Sequence, residues 1–247
     1  MSGKKVSTME DILRQRRVNI ADFGLFDDTA IREILILINP AEISRLCVTS
    51  QRFNRICTDV SFWKMKVKRD YGIEKKYGFT WKETCINLFK VNMINLNKEW
   101  INGSTYAEIV KDALEQKDSV KYLERLQYKH HPEHLPWTPV YNGKIFILNG
   151  EMQDQIVNQL QRDLTDEEIE TLKNTFTLES AVIYRAFFEI KESCVLPLSR
   201  QAYLDDTIQF DGDLAQILQP FIDVYPYIML FSSLPNHELN NILDYGF

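Results

Sequence analysis

"NPAEISRLCVTSQRFNRICTDVSFW", Asn39 to Trp63, sets apolar residues at every third or fourth position, breaks the pattern with Ser50 and ends on an aromatic pair. A residue before proline is pushed out of the α region, while proline suits the first turn of a helix, so Asn39-Pro40 predicts a helix running to about Val48. Ser50 can accept from the backbone amides that follow it, which predicts a corner and then another helix over "QRFNRIC", set at a new angle. Ile43, Leu46 and Cys47 share one side of the first piece, and Phe53, Ile56 and Cys57 face inward from the second. Arg45, Arg52 and Arg55 are left for solvent or a partner.

Upstream, Asp27 and Asp28 can cap a helix whose Ile31, Ile34, Leu35 and Ile38 repeat at the i, i+3, i+4, i+7 spacing of one face. Ile36 and Leu37 lie roughly 120 to 150° from that stripe at about 100° per residue, so both flanks are apolar. Such a helix must be covered by the rest of its own chain or by another protein. "ILILI" would also suit a strand; the Asp pair and the Asn-Pro stop favour a helix.

Composition bounds what the whole chain can be. Its 247 residues are 45% hydrophobic, enough for one large globular domain or two small ones. No apolar run approaches the ~20 residues of a membrane-spanning helix, and the first residues contain no apolar core of the kind a secretory signal needs. Cys47, Cys57, Cys85 and Cys194 show no paired CxxC spacing, which predicts free thiols in a reducing compartment, cytoplasmic with the nucleus as an alternative. Residues 1–92 hold 17 Lys and Arg against 11 Asp and Glu, and residues 93–247 hold 12 against 24. A basic front can complement an acidic partner; an acidic rear disfavours wrapping nucleic acid.

From Leu25 to Gly72 the residues "LFDDTAIREILILINPAEISRLCVTSQRFNRICTDVSFWKMKVKRDYG" resemble an F-box, the helical motif that docks substrate receptors onto a Skp-type adaptor in cullin-RING ubiquitin ligases. The similarity lies in the opening leucine, "EIL", Pro40, "SRLCVTSQRFNRI" and "DVSFW", with Trp81 beginning a further helix as in the segment that often follows the motif. The family usually places proline after the opening leucine, where this chain has Phe26. The resemblance implies partner binding through Leu25, Phe26, Ile31, Ile34, Leu35, Ile36, Leu37, Pro40, Leu46, Val48, Ser50, Arg52, Phe53 and Trp63, with Trp63 also a plug for the small bundle. It implies as partners a Skp-type adaptor, through it a cullin, and a target protein, with no nucleic acid and no membrane. The Ile, Asn, Lys and Tyr usage is compatible with an origin in a large DNA virus.

The rear is read by pattern alone. The expected organisation is a polar tail over 1–22, the F-box-like head and following helix over 23–92, a helical connector over 93–137 and a mixed α+β module over 138–247. The fold class is therefore α+β. Asn142-Gly143 in "VYNGKIFIL" signals a hairpin, Thr165 with Glu168 has the spacing of a capping box, and "SAVIYRAFFEIKESCVLPL" alternates enough for a strand, a helix being open. His130, His131 and His134 are close enough to share a metal, but Pro132 interrupts them and no fourth ligand is signalled, so they read as loop histidines. Asp205, Asp206, Asp211 and Asp213 would suit a divalent cation only if their geometry converged. No phosphate loop or nucleophile elbow is present, and no cofactor or catalytic residue is assigned. The expected function is a substrate-receptor subunit; the alternatives are a scaffold that reuses the helical unit and, further off, a metal-dependent hydrolase.

Overall fold

The computed structural model describes residues 26–136, 148, 150–192 and 224–239. The chain divides into two compact units, with the boundary between Lys90 and Val91.

In the first unit the predicted helix starts are each made by a side-chain cap. Helix α1, Asp28–Leu35, starts where Asp27 Oδ1 accepts from the Ala30 amide at 2.7 Å. Helix α2, Pro40–Leu46, starts where Asn39 Oδ1 accepts from the Glu42 amide at 2.9 Å. Ser50 Oγ accepts from the Phe53 amide at 3.2 Å and opens α3, Gln51–Thr58. Each cap satisfies an amide that a helix start leaves without an internal partner. Asp59 then opens α4, Val60–Tyr71, which stops at Gly72. Gly72 has φ +69°, a conformation glycine adopts without a Cβ penalty, and its N–H closes the last turn onto the Lys68 carbonyl at 2.9 Å.

Helix α5, Trp81–Lys90, packs along α4 and touches α2. Two lysines interlock α4 and α5: Lys64 Nζ sits 5.7 Å from the Trp81 ring centre, and Lys82 Nζ sits 5.8 Å from that of Trp63. Ile31, Leu35, Ile38, Ile43, Ile56, Phe62, Trp63 and Val67 are buried in this unit. Trp63 closes the bundle, donating its indole N–H to the Cys57 carbonyl at 2.8 Å and meeting Phe62 edge-on at 5.3 Å.

The expectation of free thiols fails at Cys47 and Cys57, and Cys194 lies outside the described residues. Cys47 and Cys57 form a disulfide with their Cα atoms 5.9 Å apart. The corner at Ser50 folds α3 back against α2, so residues ten apart in sequence meet across the turn. Cys85 is free and buried.

In the second unit come α6, Tyr106–Glu115, α7, Ser119–Lys129, α8, Gly150–Leu160, α9, Asp166–Thr175, α10, Leu178–Glu192, and α11, Tyr225–Ser232. Helix α10 is the centrepiece, packing on α6, α7 and α11. Met152, Ile156, Leu172 and Phe176 form a separate cluster with Leu135.

The expected α+β class is overturned. The described residues are helical and contain no strand, only an isolated bridge between Glu99 and Thr105. The segment read as a strand lies in α10 as far as Glu192, and its remainder lies outside the described residues: residues 181–187 are buried without a break, so no polar face remained to mark a helical period. The hairpin expected at Asn142-Gly143 lies outside the described residues.

Candidate functional site

Where α1 hands over to α2, the chain makes two tight turns, Leu37 N–H to the Ile34 carbonyl at 3.0 Å and Ile38 N–H to the Leu35 carbonyl at 3.1 Å. Helix α4 holds this join from below: Lys66 Nζ and Arg69 Nη1 both donate to the Ile36 carbonyl, at 2.9 and 2.5 Å. Lys66 is buried and also pairs with Asp70 at 2.7 Å. The backbone at Ile36 is therefore anchored through its oxygen, while the Ile36 and Leu37 side chains remain half-buried. Beyond α2, Leu46 is half-buried, and Val48 stands out at the corner with 86% of its surface exposed.

The partner-binding residues expected from sequence fall into three groups. Ile31, Ile34, Leu35, Pro40 and Trp63 are buried. Phe26, Ile36, Leu37, Leu46, Arg52 and Phe53 are half-buried, and Val48 and Ser50 are exposed. Leu25 lies outside the described residues. The arginines do not act alike. Arg52 Nε grips Asp28 Oδ1 at 2.7 Å and reaches the Phe26 carbonyl, and Arg55 pairs with Asp28 Oδ2 at 3.2 Å. These contacts, led by the Arg52 hydrogen bond, hold the Asp28 carboxyl below its ordinary range. Arg45 stays exposed. Thus two of the three arginines expected to face solvent or a partner fasten the entry of α1 to α3, a role that depends on a pairing across 24 residues and left no local signal.

This geometry coincides with a family match: residues 25–65 fit the family described as the F-box domain. An F-box domain is found there. The match says nothing of a viral source and covers a small part of the 247 residues. No curated protein and no solved structure matches the chain. An F-box points to a substrate-receptor or adaptor role in cullin-RING assemblies and to a Skp-type adaptor as the kind of partner.

Past the F-box, in the second unit, Trp100, Tyr106, Ile109, Leu123, Leu126 and Gln127 help to line a half-open apolar hollow of about 300 Å³, solvent-facing space included. Trp100 Nε1 and Gln127 Oε1 are buried without a hydrogen-bond partner among the described residues. The three neighbouring histidines go separate ways. His130 meets the Trp100 ring edge-on at 5.2 Å, His131 Nε2 lies 3.2 Å from the Leu135 carbonyl, and His134 Nε2 lies 2.7 Å from Glu168. Burial keeps His130 and His131 below the ordinary imidazole range. Among the described residues no three metal-binding side chains converge. The four aspartates from Asp205 to Asp213 lie outside the described residues.

Proposed function

We propose that this chain is a substrate-receptor subunit: its F-box docks a Skp-type adaptor and, through it, a cullin, while the second unit holds a target protein. The observation that carries the reading is the set of apolar side chains, Ile36, Leu37, Leu46 and Val48, left half-buried or exposed on the residues that match the F-box. Fully burying such a side chain is worth about 1.5–3 kcal/mol before association costs. The chain's part in ubiquitin transfer is then proximity, which raises the effective concentration of target lysines beside the charged conjugating enzyme.

The test is calorimetric titration of a purified Skp-type adaptor into the protein and into an Ile36→Asp, Leu37→Asp double variant. Loss of two apolar anchors predicts binding weaker by at least about 100-fold. Circular dichroism stays unchanged, because the Ile36 carbonyl, not its side chain, receives Lys66 and Arg69. Equal affinity for both proteins would defeat the reading, as would unfolding of the variant in isolation, which would make these side chains internal.

A further inference from the structure

The Cys47–Cys57 bond spans the corner that presents Val48, and both cysteines are buried. Cys47 Sγ lies 2.9 Å from the Ile43 carbonyl oxygen one turn back. A disulfide sulfur carries no hydrogen, so in the bonded form this approach is a contact only. On reduction the two sulfurs must part from bonding distance, and a Cys47 thiol that stays on its own helix has the Ile43 carbonyl as a nearby acceptor. Where glutathione keeps thiols reduced, the disulfides that do form are mostly transient or redox-sensing. Val48, Thr49 and Ser50, which join the two helices, are exposed, so a local opening of the corner admits a small reagent.

We infer that Cys47 and Cys57 form a reversible thiol–disulfide clamp on the α2–α3 corner, closed by a low-molecular-weight disulfide, which tightens docking of the adaptor. The docking half of this inference rests on the function proposed above; the clamp itself does not. In closing, one cysteine thiolate attacks a sulfur of the small disulfide, forming a mixed disulfide and releasing one small thiol. The thiolate of the other cysteine then displaces the second small thiol. Two protein thiols have lost two electrons and two protons, and the reagent has become two thiols. The closed clamp fixes Leu46 and Val48 before a partner arrives, which removes part of the ordering cost of binding.

The experiment uses the full chain carrying Cys194→Ser, equilibrated in buffers of set reduced-to-oxidised glutathione ratio. Alkylation with intact-mass detection measures the bonded fraction. Amide hydrogen exchange over residues 44–55 measures the corner, and calorimetry with a purified Skp-type adaptor measures docking. Expected are a bonded fraction that follows the buffer reversibly, slower exchange in the bonded form, and adaptor binding about five- to tenfold tighter in that form. Cys47→Ala and Cys57→Ser should each abolish all three redox dependences. Failure of the bond to form, or formation with exchange unchanged, overturns the clamp and leaves adaptor docking standing. A normal clamp with no adaptor binding in either state supports the clamp and defeats the function proposed above.

Discussion

Glu168 shows how much one carboxylate can gather. Arg162 holds it with both outer nitrogens, at 2.9 and 2.7 Å, His134 Nε2 lies at 2.7 Å, and the Thr165 amide donates to it at 2.8 Å. The Arg162 guanidinium, first, and then the Thr165 amide hold its carboxyl far below the ordinary range. A carboxyl lowered in the folded state stabilises fully above its unfolded value, about 4.3, and that contribution is lost as pH falls toward the folded value. Asp59, drawn down to about 2 first by the Ser61 hydroxyl and then by Arg32, behaves in the same way. The melting temperature should therefore decline as pH falls below about 4.3, and Glu168→Gln should flatten that decline while lowering the melting temperature at pH 7. Truncating the buried plug, Trp63→Ala, should cost about 3–5 kcal/mol in denaturant unfolding of the first unit. At this scale the sequence was half legible. Thr165 and Glu168 announce a capping box by spacing alone, whereas Arg162 and His134 join the same carboxylate through folding that no local pattern encodes.

Among elements, the α2–α3 corner was the most legible feature, since proline, serine and apolar spacing each carry a local rule. Ser50→Ala removes the cap that makes it and should destabilise the first unit by about 1 kcal/mol, read as a lower denaturation midpoint at unchanged slope. What the spacing did not show is that the corner brings Cys47 onto Cys57, because a ten-residue gap matches no cysteine motif. Helix α10 fails for the opposite reason. Its run from Ala181 to Phe187 is buried throughout, and a helix without a wet side loses the period by which helices are read. The Arg185–Glu189 pair, one turn apart within it, is the helical clue that the strand reading passed over. The paired lysine and tryptophan contacts between α4 and α5 depend on the two helices lying side by side, and the sequence named only the start of α5 at Trp81.

At the scale of the molecule, the first unit has its own core, which ends at α5 beyond the F-box match. A fragment of residues 1–90 should therefore unfold cooperatively on its own and, on the function proposed above, bind a Skp-type adaptor as tightly as the full chain does. A non-cooperative melt of that fragment would show that its core needs the rest of the chain. Exposed Arg45, with the basic excess of residues 1–92, should speed encounter with an acidic partner, so the association rate should fall as salt rises while dissociation changes little. Lys66 has a practical consequence. Its ammonium sits under the end of α1, 1% exposed, on a carbonyl and a carboxylate, while Lys64 and Lys68 on the same helix face water. An acylating reagent, or a conjugating enzyme transferring ubiquitin to this chain itself, would mark those two neighbours and spare Lys66, so the appearance of label there is a chemical alarm that the head has come open.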